Sequence, residues 1–210
     1  MSSAVQVPPP KTSLATLPID QSRGTQAMWA VIATELMLFI SMFGAYYYLG
    51  TNKDRWAIET PPELKFPIIL LVVLLSSSAL LVWGEHQLKQ GMDRVARMAL
   101  WGTVLLGLAF MAIQVMEYMS HWKKLTPYSD SYGSIFYTIT SLHAAHVIVG
   151  LLMLMYVGIL PKSQYSAARR SPHRPYKAVA LYWHFVDFVW VFIVALLYVA
   201  PHFLGGHHGR

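Results

Sequence analysis

The sequence predicts an all-α membrane protein, a bundle of five transmembrane helices. Three observations favour this fold class. First, 55% of the 210 residues are hydrophobic and only 12% are charged, whereas a soluble domain carries about 25% charged residues. Second, five apolar runs are each long enough to cross about 30 Å of hydrocarbon as a helix. Third, the alternating pattern of a transmembrane β-barrel is absent.

The five predicted spans are separated by short connections that carry charge, Pro and Gly. The spans cover about residues 25–50, 66–88, 94–120, 132–160 and 177–203. No Lys or Arg interrupts the interior of any of them. The transmembrane domain therefore covers residues 25–204. It follows a polar, Pro-rich N-terminal arm (1–24) that we expect to be flexible, and it precedes a C-terminal tail (205–210).

Charge and cysteine content set the orientation and exclude several kinds of site. Five spans put the termini on opposite faces, with ten Lys and Arg on the N-terminal side and six on the other. Basic residues favour the cytoplasmic face, so the N-terminus is predicted inside and the C-terminus outside. The net charge of +6 is then a topology signal, and no nucleic-acid partner is expected.

The absence of Cys excludes disulfides and thiolate metal sites, including paired-Cys copper centres.

Glu35 is an ionisable residue near the middle of the first predicted span. It lies ten residues after Thr25, which is about 15 Å along a helix. A charge at such a depth costs about 2.5–3.5 kcal/mol on insertion scales. Two interpretations remain open: a proton-active or lipid-pocket group, and a neutral acid that makes an interhelical hydrogen bond.

Glu85, His86 and Glu117 lie near span ends, where a polar group is tolerated more easily. We interpret Glu85 and His86 as interfacial residues that, if they have a role, hold a lipid headgroup or a neighbouring subunit. Glu117 is interpreted as a packing or capping residue, because Tyr118 and Trp122 flank it as aromatic residues of the interface.

Two pairs of polar residues have i,i+3 spacing, which places each pair on one helix face. His143 and His146 could bind a metal only with a further ligand from another helix, for which His184 is the candidate. We therefore favour hydrogen bonding there. His184 and Asp187 can share a proton with each other, or each can reach a partner on another helix, such as His143 or His146. A haem site with two His ligands is the alternative.

Several segments of the chain resemble one family. YWHFVDFVW at 182–190 resembles a signature of subunit III of haem–copper oxidases of the cytochrome c oxidase type. TELMLFISMFGAYYY resembles the family's helix with a membrane-embedded glutamate, here Glu35. SSSALLVWGEHQLKQG resembles the family's next helix, with Trp83 and His86 as the matching residues. IQVMEYMS matches through Gln114, Glu117 and Tyr118, and YGSIFYTITSLHAAHVIVG matches through His143 and His146.

The resemblance implies a short, five-helix form of subunit III in the bacterial inner (plasma) membrane. Such a subunit has no catalytic residues, and it binds no haem and no copper, which are expected on the partner subunits I (catalytic) and II. It packs on subunit I, holds phospholipid, and supports proton uptake and complex stability. Glu35 is then a proton-active or lipid-pocket candidate, and Trp83 and His86 are lipid or subunit contacts. A buried polar network is expected from Glu117, His143, His146, His184 and Asp187.

The resemblance implies that the complex reduces oxygen with electrons from cytochrome c and pumps protons, with cytochrome c or a respiratory supercomplex as a further partner. Its motifs are shared with the matching subunits of quinol oxidases and of nitric-oxide-reducing systems, so these stay as alternatives. From a different class, a free-standing b-type membrane cytochrome would use His143 or His146 with His184 as haem ligands.

An optical spectrum distinguishes the b-type cytochrome from the other functions. We expect the isolated chain to show no haem absorption band, because its imidazoles are predicted to serve as hydrogen-bonding groups. A haem band of one haem per chain that disappears in His184→Leu would contradict this prediction.

Overall fold

The computed structural model describes residues 22–51, 64–121, 131–160 and 175–201, and all that follows concerns these ranges. They form five long helices and, within these ranges, no strand. In chain order these are α1 (Ser22–Thr51), α2 (Lys65–Lys89), α3 (Asp93–His121), α4 (Ser131–Ile159) and α5 (Pro175–Ile193), and α5 continues as a π-helical segment over Val194–Val199.

The predicted fold class and number of spans are confirmed. All five helices are long and apolar enough to cross a membrane. The bounds of α2, α3 and α4 lie within one residue of the predicted spans. Helix α1 begins three residues before the predicted start of the first span, so residues 22–24 belong to the helix. A helix can continue past the hydrocarbon because water satisfies its backbone there. Residues 1–21 and the tail at 205–210 lie outside the described ranges.

A tight turn at Gly91 joins α2 to α3. Gly91 has a φ of 89°, a backbone conformation that glycine adopts without a steric penalty. The amide of Gly91 donates to the carbonyl of Leu88, and the amide of Met92 donates to that of Gln87. These two bonds are the Schellman pattern that ends helices. The turn makes α2 and α3 an antiparallel pair with the most extensive mutual packing in the bundle.

Helix α5 lies at the centre of the bundle, and α1 lies at its edge. Helix α5 packs against α1, α2 and α4. In its most apolar 18-residue stretch 61% of the residues are buried, compared with 11% in α1. The outer faces of the bundle are apolar, as expected of a protein surrounded by lipid. Polar residues on α5 therefore lie inside the bundle, whereas those on α1 lie close to its surroundings.

Trp183 on α5 fills a space that two glycines leave open. Its side chain is fully buried, and its ring lies against Gly107 on α3 and Gly150 on α4. A Cβ at Gly150 would be 2.9 Å from the ring atom Cε3, and one at Gly107 would be 2.8 Å from Cη2. Small residues at such positions allow close helix packing in membranes. The ring nitrogen donates to the Ser77 hydroxyl at 3.0 Å, which adds α2 to the same contact.

We expect Gly150→Ala to lower the free energy of unfolding by about 1–3 kcal/mol, because the added methyl group must displace a rigid indole ring. Gly44→Ala on α1 is the matched control, since a Cβ there would meet nothing within 4 Å. The measurement is reversible unfolding of the purified chain in mixed micelles with increasing SDS. Equal stability of the two variants would contradict the packing described for Trp183.

Candidate functional site

Glu35 on α1 and His146 on α4 form a polar pair inside the span. The Glu35 Oε2 is 2.9 Å from the His146 Nε2. The other ring nitrogen, Nδ1, is 2.8 Å from the carbonyl oxygen of Leu142 in the preceding turn of α4. The Tyr182 hydroxyl donates to the His146 backbone carbonyl at 3.5 Å, which links the pair to α5.

The hydrogen bonds determine how many protons the pair holds. A carbonyl oxygen only accepts, so the Nδ1 atom of His146 must carry a proton. One proton then lies between Glu35 and Nε2, either on a neutral carboxyl or on an imidazolium that faces a carboxylate. Both arrangements have zero net charge, which avoids the cost of an isolated charge in hydrocarbon. An interhelical hydrogen bond and a proton-active carboxyl are therefore compatible interpretations of Glu35.

The pair is open toward the surroundings of the bundle on one side. The Glu35 side chain is 31% exposed and the His146 side chain 12%. On the protein side, the Phe39 ring packs edge-on against the His146 ring, with centroids 5.1 Å apart. A carboxyl with this exposure, about 20 Å along α1 from Ser22, lies at the outer surface of the bundle.

Glu117 on α3 is buried and has donors on both oxygens. Its Oε2 accepts from the Gln114 amide at 3.1 Å, and its Oε1 accepts from the Tyr198 hydroxyl at 3.0 Å. Tyr198 belongs to the π-helical segment. The Tyr132 hydroxyl on α4 donates to the carbonyl of Leu197 in the same segment. These bonds hold α3, α4 and the end of α5 together. The arrangement is compatible with the packing or capping role predicted for Glu117, which stays a prediction.

His143 lies in an aromatic environment. The ring stacks on Trp190 with centroids 5.0 Å apart and an interplanar angle of 27°, and Phe110 and Phe39 pack edge-on around it. Neither ring nitrogen makes a hydrogen bond to the described residues. His143 is thus separated from the neighbouring His146, which faces Glu35.

His184 and Asp187 share a neighbour, the Ser78 hydroxyl on α2. His184 Nδ1 hydrogen-bonds with that hydroxyl, and the Asp187 carboxyl lies beside it. No hydrogen bond joins His184 to Asp187 within the described ranges. Asp187 is only 4% exposed, and the His184 ring is half-buried. The two residues do share a helix face, as their spacing predicted.

The candidate residues at the end of α2 lie on the outside of the bundle. Trp83 is 48% exposed, and His86 is exposed and accepts from the Gln90 amide at 2.9 Å. Glu85 forms an ion pair with Lys89 at 2.9 Å. This end of α2 therefore presents an aromatic ring and several polar groups to whatever surrounds the bundle.

The five residues of the predicted buried network lie in four separate places. His146 pairs with Glu35, and Glu117 pairs with Gln114 and Tyr198. His184 bonds to Ser78 with Asp187 beside them, whereas His143 packs among aromatic rings. Within the described ranges no three His, Cys, Asp or Glu side chains are grouped closely enough to hold a metal ion.

Ser77, Ser78, Thr103 and Tyr198 are the partners that the sequence analysis did not identify. The Thr103 hydroxyl donates to the Ser77 carbonyl at 3.3 Å, and Ser77 also accepts from Trp183. The available signal was the run of three serines at 76–78 in an otherwise apolar helix. Hydroxyls are tolerated in membrane helices because they can bond to their own backbone, so such a run does not by itself indicate an interhelical contact.

Glu35→Gln should leave folding and assembly largely intact. The glutamine amide can donate to the Nε2 atom of His146, which accepts when Nδ1 is bonded to Leu142. Glu35→Leu is the control. It leaves that nitrogen without a donor, at a cost of about 1–3 kcal/mol. The measurements are the amount of the subunit in the purified complex and its unfolding midpoint. Loss of the subunit from membranes in Glu35→Gln would show that the carboxyl itself is structurally required.

Comparison with known proteins gives one consistent family. The family model described as cytochrome c oxidase subunit III matches residues 21–202. A protein named cytochrome c oxidase subunit 3 from Latimeria chalumnae is 34% identical over 191 residues, which are 87% of this chain and 71% of that protein. Proteins of the same name from Triticum aestivum and Squalus acanthias are each 35% identical over 80% of this chain, and the matches cover 64% and 66% of their lengths.

The chain thus spans about two-thirds of the length of these relatives. The family match contains all five helices and every candidate residue described above. Because the family model covers most of the sequence and the relatives are more than 30% identical, the chain belongs to the cytochrome c oxidase subunit III family.

Proposed function

We propose that this chain is the non-catalytic subunit III of a terminal respiratory oxidase. The complete complex reduces oxygen to water with electrons from cytochrome c and moves protons across the membrane. The observation that carries the proposal is the family match over residues 21–202. The haems and copper belong to subunits I and II. The acids and imidazoles described above are engaged in helix packing or in hydrogen bonds, which favours a non-catalytic role for this chain.

The family membership implies that this multi-pass membrane protein works in a complex with other oxidase subunits. We place it against the catalytic subunit I in a bacterial plasma membrane, with its N-terminus in the cytoplasm. The excess of basic residues on the N-terminal side, ten against six, supports this orientation. A cytochrome c, or a larger respiratory assembly, is the further partner of the complex.

Phospholipid is the proposed ligand of this chain. The open side of Glu35 between α1 and α4 supports this proposal, as do the exposed Trp83 and His86 at the end of α2. Indole rings prefer the depth of lipid headgroups, where His86 can bond to a phosphate. A neighbouring subunit would supply the other wall of the lipid site, because Glu35 and Trp83 are open on the outside of the bundle.

Support of proton uptake is proposed for Glu35. The Glu35–His146 pair holds one proton that has two positions of equal net charge, so a proton can shift within the pair without creating an isolated charge. The partial exposure of the carboxyl gives a hydrated partner access to that proton. His146 acts as the positioning residue, because its Nδ1 bond to Leu142 fixes the orientation of the ring.

Isolation of the intact assembly tests the proposed function. The complex is purified through a tag on this chain, its polypeptides are separated, and each is analysed for iron and copper. We expect a copper-bearing subunit II, a haem-bearing subunit I and no metal on this chain. A complex without a copper-bearing subunit II would favour the quinol oxidase or nitric-oxide-reducing alternatives. Stoichiometric metal on this chain alone would overturn the proposal.

His184→Leu should weaken association with the catalytic subunit or the fold itself, without altering haem content. The change removes a half-buried polar group at membrane depth and leaves the Ser78 hydroxyl without its ring partner. His184→Asn is the matched variant, because its amide can bond to that hydroxyl. The ratio of this chain to subunit I after purification, and the haem content of each preparation, are measured. Stoichiometric loss of haem with His184 would contradict the non-catalytic role.

A further inference from the structure

A line of polar side chains follows the contact between α2 and α5, which we call the α2–α5 groove. At its inner end, the Ser78 hydroxyl bonds to His184 and lies beside Asp187. Nearer the end of α2, the Glu85 carboxylate lies within electrostatic range of the His184 ring. Glu85 in turn forms an ion pair with Lys89 at 2.9 Å. These five residues, which we call the α2–α5 polar line, are separate from the Glu35 pair between α1 and α4.

The α2–α5 polar line leads from the end of the bundle into its middle. Ser78, Glu85 and Lys89 are seven and four residues apart, so they lie on one face of α2. At about 1.5 Å per residue, Ser78 is about 16 Å from Lys89 along the helix axis. Side-chain exposure falls in the same direction, from 63% at Lys89 to 24% at Glu85. His184 is half-buried and Asp187 only 4% exposed.

Asp187 has fewer donors around it than a carboxyl needs. Neither of its oxygens meets a donor with hydrogen-bond geometry among the described residues. The Ser78 hydroxyl, which also bonds to His184 Nδ1, has only a single proton to donate to its neighbours. A buried polar group in this position is normally satisfied by water, provided that the site offers several polar partners. Asp187, Ser78 and His184 together offer such partners.

We propose that the α2–α5 groove is a water-accessible half-channel that connects the Lys89 end of the bundle to the buried carboxyl of Asp187. Its occupant is water, through which protons reach Asp187. His184 lies between the outer carboxylate and the inner one, where an imidazole can accept a proton on one nitrogen and release one from the other. The inference does not depend on the proposed oxidase function, because the accessibility of the groove can be measured in any assembly that contains the chain.

The absence of cysteine in the chain permits a direct test. Three consecutive serines at the same depth face three environments. Ser76 is exposed, and its hydroxyl bonds to its own helix at the Val72 carbonyl. Ser77 is fully buried in the bundle, and Ser78 faces the groove. Each serine is replaced singly by Cys in the intact membrane complex, and the variants are treated with aminoethyl methanethiosulfonate, which reacts with the thiolate formed in water.

We expect Ser78→Cys to react at least about tenfold faster than Ser76→Cys and Ser77→Cys, because a thiol in hydrocarbon or in a dry core does not ionise. Glu85→Cys, near the proposed entrance, should react fastest. A membrane-impermeant reagent should modify Ser78→Cys from the Lys89 side alone. Equal, slow rates for the three serine positions would overturn the half-channel, as would modification of Ser78→Cys from the opposite side.

Asp187→Cys provides a second probe if Ser78→Cys fails to assemble. It examines the same groove from α5, with the fully buried Val186→Cys as its control. Faster modification of Asp187→Cys supports the half-channel, and equal rates overturn it. Neither result bears on the metal content of the complex, so failure of this inference is distinguishable from failure of the proposed function.

Discussion

Hydrocarbon offers no hydrogen bonds, so a polar side chain within a span must find its partner in the protein. This constraint accounts for most of the tertiary contacts described here. Glu35 joins α1 to α4 through His146, and Glu117 joins α3 to the end of α5 through Tyr198. A salt bridge on a soluble protein contributes little because water competes for its groups. Inside a bilayer that competition is absent, so the same side chains can determine which helices are neighbours.

Helix α5 is where these contacts meet. Trp183 packs against α3 and α4 and bonds to α2, His184 bonds to α2, and Tyr182 bonds to α4. The π-helical segment at its end places Tyr198 against Glu117. An added residue per turn rotates the side chains that follow it, which is how π segments redirect a side chain without breaking the helix. The fifth helix is therefore the element whose sequence is most constrained by packing.

The fold could be predicted from the sequence because the length of an apolar run is a direct consequence of bilayer thickness. The partners of the polar residues could not be predicted in this way. The sequence analysis named His184 and Asp187 as possible partners of His146, whereas its partner is Glu35. Spacing along one helix does not determine which face meets which neighbour. The contact of Ser78 with α5 could not be predicted for a related reason. A serine that bonds across helices has the same sequence context as one that bonds to its own backbone. The family resemblance indicated which polar residues to examine, but it left their pairing open.

The position of each polar group in the bundle separates structural roles from functional ones. Glu117 is enclosed and both of its oxygens have donors, so it needs nothing from outside the chain. Glu35 lies at the outer surface of the bundle, where one side of its carboxyl has a partner on α4 and the other side is open. A half-satisfied polar group at membrane depth is costly unless lipid headgroup, water or another subunit completes its environment. The outer face of α1, rather than the polar core, is therefore where this chain needs a partner from outside the bundle.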